Sequence, residues 1–224
     1  MSEGLRERKK RETRRRISDV ATGLFMLRGF DDVTVAEVAR AADVSVNTVF
    51  NYFATKEDLL LDRAPEVEGL LGRVVRERRP GESVLEAVRR DFLDALETGH
   101  ERYGFHEGGD GFVRMVEASP ALVARVREMN EARERRLAEA IAEESDADPD
   151  DLTPALVAAQ VNAVLRTVVG YAVRRMLAGE SVEAIAPDLR DRARQAFDML
   201  ESGIGGYCVR WEETSPAPGV REPA

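Results

Sequence analysis

Apolar residues recur at three- and four-residue intervals along almost the whole chain, the spacing that puts them on one face of an α-helix. Ile17, Val20, Ala21, Leu24, Phe25 and Leu27 form such a stripe, and Gly29 follows where a helix end favours positive φ. A first helix is therefore predicted over about Lys9 to Arg28. Thr34-Val-Ala-Glu37 reads as a capping box, in which each side chain satisfies the other residue's backbone N–H, and opens a short helix ending near Ala41. Ala42-Asp43-Val44 is a tight turn, and Ser45 caps a third helix reaching Asn51. Thr55, with Glu57 and Asp58 in the first turn, opens a fourth helix that carries Leu59, Leu60, Val67, Leu71 and Val75 before Arg79-Pro80-Gly81 stops it.

The pattern continues downstream. Ser83-Val-Leu-Glu86 is a second capping box, leading a helix to about Glu101, and the glycine-rich stretch Tyr103 to Gly111 reads as a loop. A short helix holds Phe112, Val113 and Val116, and a longer one runs from Ala121 to about Glu144 with a charged face from Arg125 to Arg136. Thr153-Pro154 opens the most apolar helix, to about Ala178, with Val157, Val161, Leu165 and Val168 on its broad face. A last helix is predicted from about Pro187 to Leu200, Ala193, Ala196 and Phe197 facing inward. The fold class is all-α. Residues 1–54 form a helix-turn-helix unit with a basic N-terminal arm, and residues 55–211 a larger helical body. Residues 212–224 are rich in Pro, Glu and Ser, the composition of a disordered tail.

Charge changes the picture. The net charge of −9 at first argues against a nucleic-acid partner. Yet Met1 to Arg28 holds nine basic and four acidic residues, so the remainder carries −14. A basic end on an acidic body is expected when one small module meets phosphate, although a solvated helix face would give the same count. No apolar stretch is read as approaching the ~18 residues of a membrane span, and the charged N-terminus lacks the apolar run of a secretory signal. Cys208 is the sole cysteine, which fits a reducing compartment. The expectation is a cytoplasmic protein with no membrane partner.

Two short helices joined by a tight turn, Thr34–Ala41 and Ser45–Asn51, have the layout of a helix-turn-helix whose second member enters the DNA major groove. The string TVAEVARAADVSVNTVFNYFATKEDLL, Thr34 to Leu60, strongly resembles the DNA-binding segment of tetracycline-repressor-like (TetR) regulators. ATGLFMLRGFDDVTV, Ala21 to Val35, resembles that family's first helix and turn. The resemblance spans Ile17 to Leu61. Beyond it only the helical layout matches.

The resemblance implies DNA contacts position by position. Thr34 and Ser45 would bond phosphate at helix N-termini, where backbone N–H groups also point. Val46 and Asn47 would face base edges, valine meeting a thymine methyl and asparagine reading adenine. Thr48 and Asn51 would reach bases or backbone, and Tyr52 and Lys56 match the family's phosphate clamp. Phe50 stands where the family usually has a hydroxyl-bearing aromatic, and is expected to pack inward or against sugars. Phe53 is expected in the core. The arm from Arg6 to Arg16 would approach the backbone or reach into a minor groove.

In the family the body dimerises and binds a small molecule, and both are implied here. Helices Pro154–Ala178 and Pro187–Leu200 are apolar enough to form a four-helix bundle with those of a second subunit. Phe92, Leu96, His100, Tyr103, Phe105, Phe112, Val116, Met129, Asn162, Arg166 and Tyr171 are candidates for a pocket, each weighed against being plain core. Arg166 stands out, because an arginine in the most apolar helix needs an acid or an anionic ligand. Ser119 to Ile141 loosely resembles regulators that sense hydrophobic or acyl-CoA-like acids. His100 and His106 have no cysteine nearby and read as ordinary histidines, so no metal or cofactor is expected. No phosphate loop, nucleophile elbow or paired carboxylate points to catalysis. The leading expectation is a dimeric, ligand-responsive repressor on a palindromic operator. The alternative is an all-helical carrier or enzyme whose N-terminal hairpin is only structural.

Overall fold

The protein is described by a computed structural model over residues 4–104 and 109–210. The candidates Phe105 and His106 and the expected tail at 212–224 lie outside these described residues. Among them every regular element is helical: α1 (Leu5–Arg28), α2 (Val35–Ala41), α3 (Val46–Tyr52), α4 (Glu57–Leu60), α5 (Ala64–Arg76), α6 (Val84–Thr98), α7 (Gly109–Ala118), α8 (Pro120–Ser145), α9 (Thr153–Leu177) and α10 (Val182–Ile204), with a 3-10 turn at Glu101–Tyr103.

Several boundaries differ from the sequence expectation. The fourth helix is two elements, α4 and α5. Pro65 is the cause: it has no N–H to give the Leu61 carbonyl, and its ring would clash with that oxygen. The chain turns there instead, with Leu61 at φ −99° and ψ 40°. The last helix opens at Ser181, whose hydroxyl accepts the Ala184 N–H at 3.3 Å. Pro187 lies inside that helix on its exposed side, not at its start. The first helix begins at Leu5, so the basic residues ride on a helix and not on a loose arm. At α9 it is Asp151 that caps, accepting the Thr153 N–H at 2.8 Å.

Two apolar clusters form. One gathers Ile17, Phe25, Phe30, Val38, Val49 and Phe53 from α1–α3 and continues through Leu59, Leu60 and Leu61. Met115, Val116 and Leu122 of α7 and α8 complete it. The other fills the body between α5, α6, α8, α9 and α10, with Leu85, Phe92, Leu137, Leu165 and Phe197 fully buried. Helix α8 runs through both. It meets α5 closely at Gly72, where an added Cβ would lie 3.4 Å from the Arg136 carbonyl.

The expectation that nothing in the chain is long enough to cross a bilayer is corrected by α9. Thr153–Leu177 is, by length and composition, such a helix. Its buried stripe (Val157, Val161, Leu165, Val168, Ala172) packs in the body cluster between α8 and α10. Only 39% of its most apolar window is buried, so an apolar face is left over.

After α10 the chain folds back. Arg78, buried, donates to the Val75 carbonyl at 2.7 Å, to Glu144 at 2.7 Å and to the Cys208 carbonyl at 3.2 Å. Arg210 donates from its backbone to the Glu82 carbonyl at 3.2 Å and from its side chain to the Arg76 carbonyl at 2.9 Å. Burial raises the Cys208 thiol's pKa above the usual thiol value.

Candidate nucleic-acid interface and effector body

The α2–turn–α3 unit is specified by its caps. Thr34 Oγ1 accepts the Glu37 N–H at 3.3 Å while Glu37 accepts the Thr34 N–H at 2.8 Å. Ser45 Oγ accepts the Thr48 N–H at 3.0 Å. Between them Asp43 takes φ +53°. The Val44 N–H reaches the Ala39 carbonyl at 3.0 Å and the Asp43 N–H the Arg40 carbonyl at 3.2 Å. This is the Schellman closure of a helix end, with aspartate in the left-handed position that a short polar side chain tolerates. Val38, Ala39, Ala42 and Val49 fill the seam.

What remains on the outer surface of α3 is chemistry without an internal use. Val46, Asn47 and Asn51 are exposed, and neither asparagine side chain hydrogen-bonds any described residue. Ser45 and Thr48 share one hydrogen bond at 2.8 Å, which leaves one hydroxyl proton of the pair for an outside acceptor. Thr34 differs: its hydroxyl donates to Glu37 at 2.8 Å, so its proton is already committed. Those bonds, together with Arg28 2.9 Å away, lower the Glu37 carboxyl from its ordinary value to about 2. Phe50 is 50% exposed, which removes the inward alternative expected for it and leaves the one against sugars, whereas Phe53 is buried as expected.

Tyr52 and Lys56 are half-buried and held from behind. Lys56 Nζ sits 4.3 Å above the Phe30 ring, itself 4.9 Å from Phe25, an attraction between cation and aromatic face. Arg14 of α1 packs 4.4 Å over Phe53 and donates to the Tyr52 carbonyl. Ser18 donates to the Leu59 carbonyl at 3.0 Å. Helix α1 thus holds the end of α3 and of α4, with basic residues along its exposed side.

The pocket candidates do not converge. Phe112, Val116 and Met129 belong to the N-terminal cluster, while Phe92, Leu96 and Tyr103 are packed core of the body. Phe92 and Tyr103 meet edge to face at 4.8 Å. Burial and the neighbouring Asp91, which accepts the Tyr103 hydroxyl at 2.9 Å, push that phenol's pKa well up. His100 is exposed and caps the 3-10 turn, accepting the Arg102 N–H at 3.2 Å. Tyr171 bonds Asp188 under the Arg192 guanidinium, on the α9–α10 surface. Periodicity cannot separate core from pocket lining, since both face inward.

Arg166 is exposed and needs no partner. Besides Arg78, the body buries Arg133 on α8, 8% exposed, which sequence reasoning missed. It donates Nε and Nη2 to Asn162 Oδ1 at 3.1 and 2.8 Å. Burial depresses its pKa. A signal was present: Arg133 lies four residues after Met129 and four before Leu137, on the inward stripe, but hidden inside a run of charges. The body links to the DNA side through Arg125 of α8, 3.2 Å from Asp58, whose other oxygen accepts the Thr55 N–H at 3.3 Å. Ser119 donates to Asp31 at 3.0 Å, ahead of α2.

This is the architecture of a helix-turn-helix DNA-binding regulator with a helical regulatory body. Residues 17–62 match the family model "Bacterial regulatory proteins, tetR family", and residues 82–205 match that of the MftR C-terminal domain. The chain is 35% identical over 171 residues to the HTH-type transcriptional regulator TcmR of Streptomyces glaucescens, covering 74% of this chain and 75% of that one. It is 27% identical over 202 residues to a regulator of Mycobacterium tuberculosis named for mycofactocin biosynthesis, MftR, covering 88% and 93%. Its fold matches Salmonella enterica GusR with a TM-score of 0.53 at 18% identity, over 87% of this chain and 96% of that one. The chain therefore belongs to the TetR family of bacterial regulators, which bind operator DNA as homodimers and respond to small-molecule effectors. The likeness extends past Leu61, through most of the body, further than the sequence reading had it.

Proposed function

We propose that this regulator is a repressor that α3 seats in the major groove of a palindromic operator, released by a small hydrophobic or acyl-type effector. The observation that carries the groove assignment is the outer surface of α3, where Asn47 and Asn51 are exposed with their hydrogen bonds unspent beside a basic α1. Asn47 and Val46 read base edges. Ser45, Thr48, Asn51, Tyr52 and Lys56 hold the backbone, and Thr34 contributes its helix N-terminus more than its hydroxyl. The leftover apolar faces of α9 and α10, with Leu156 and Met199 strongly exposed, cover one another across a two-fold axis. That pairing sets two recognition helices about 34 Å apart or more. Effector binding in the body shifts α8, and Arg125 passes the shift to Asp58 and the α4 cap beside Lys56. The chain acts on DNA in the cytoplasm and catalyses no reaction.

Fluorescence anisotropy against duplexes tiled from the DNA flanking the gene, titrated with salt, tests this. Saturable, sequence-selective binding that falls steeply with salt is expected. Lys56→Ala should weaken all duplexes alike, while Asn47→Ala should reduce discrimination by roughly 1–3 kcal/mol. Unchanged discrimination in Asn47→Ala would remove the assignment of base readout.

A further inference from the structure

We propose that Arg133 is the anion anchor of the effector site, and that the effector carries a carboxylate on an apolar body. The inference rests on the effector-responsive reading above and adds the ligand's chemical class and its contact.

The two buried arginines of the body differ. Arg78 has an acid, Glu144, at 2.7 Å and backbone carbonyls around it. Arg133 has no described carboxylate paired with it. Its partner is the neutral Asn162, and the acid next to it in sequence, Glu134, is spent on the far side of that amide, accepting Asn162 Nδ2 at 2.8 Å. A full charge has thus been taken out of water and given one amide oxygen, an arrangement that costs stability unless another anion joins it. The direction of approach is informative too. Asn162 Oδ1 takes both Nε–H and Nη2–H, the side-on fork that a carboxylate fits with two oxygens. Asn162 stands in for the missing anion.

The surroundings suit an apolar acid. Leu137 lies one turn along α8 and Leu165 one turn along α9, both fully buried. The position also suits a switch. Met129, a turn earlier on α8, packs in the N-terminal cluster and Leu137 in the body cluster, so Arg133 sits where the two meet. A carboxylate that displaces Asn162 from Arg133 breaks one of the side-chain bonds that join α8 to α9, and a shift of α8 there moves Arg125 relative to Asp58.

Calorimetric titration of the full chain with a panel of aliphatic and aromatic carboxylates, each beside its neutral alcohol or amide, tests the proposal. The wild-type protein should bind the best carboxylate roughly tenfold to hundredfold tighter than its neutral counterpart. Arg133→Met should erase that preference while still binding the neutral compound, and Arg133→Lys should keep part of it. Asn162→Asp, which supplies a carboxylate from within, should raise the melting temperature and weaken carboxylate binding at least as much as Arg133→Met does. This variant keeps the question answerable if Arg133→Met fails to fold. No saturable carboxylate binding to the wild type, or a preference retained in Arg133→Met, overturns the proposal. An effector that still releases operator DNA from Arg133→Met with unchanged affinity overturns the anchor and leaves the repressor reading standing.

Discussion

The DNA-binding unit and the body solve different problems with the same helices. In α2 and α3 nearly everything that fixes the backbone lies within five residues: Thr34 with Glu37, Ser45 with Thr48, Asp43 in its left-handed turn. Short reach leaves the outer side chains of α3 unemployed, and so available to DNA. In the body the decisive contacts are distant in sequence. Phe92 meets Phe197 at 6.2 Å between ring centres, Arg133 of α8 meets Asn162 of α9, and Arg78 meets the chain after α10. Such long-range contacts close a core and bury Arg133 inside it.

The strongest way to break this contrast is to cut one long-range contact and one local one. Phe197→Ala should cost about 3–5 kcal/mol, measured by chemical denaturation, because a fully buried aromatic leaves a cavity. A loss below about 1 kcal/mol would mean the body relaxes around the gap, and the contrast would fail. Asp43→Val should cost roughly 1–3 kcal/mol, since a β-branched residue resists φ of +53°. Operator affinity should fall with it, while Asp43→Gly should be tolerated. The smallest effect sharpens the local side. With Glu37 lowered to about 2 by bonds from Thr34 and help from Arg28, its contribution is complete above about pH 4.5 and fades as pH falls toward 2. Glu37→Gln should flatten the stability profile across that window, by lowering stability at pH 7 toward the value found at low pH.

The same division explains what could be read from the sequence. Local signals were legible: both capping boxes, the turn at Asp43, the buried Phe53 and the family string all carry their information in neighbouring residues. The break at Pro65 was legible too, but the apolar stripe on either side masked it. The pocket candidates were not. Whether Phe92 lines a pocket or fills a core depends on Phe197, more than a hundred residues away, and no spacing encodes that. Arg166 interrupts an apolar helix and Arg133 hides among charges, and only the packing of α8 on α9 shows which one points inward.

The return of the chain after α10 has a consequence for synthesis. The contacts of Arg78 with Cys208, and of Arg210 with Glu82, join the beginning of the body to a segment translated more than a hundred residues later. The ribosome therefore releases most of the α1–α4 residues long before the body can close its core. During that interval α5, α6 and α9 hold apolar faces with nothing to cover them, the kind of surface through which unfinished chains aggregate.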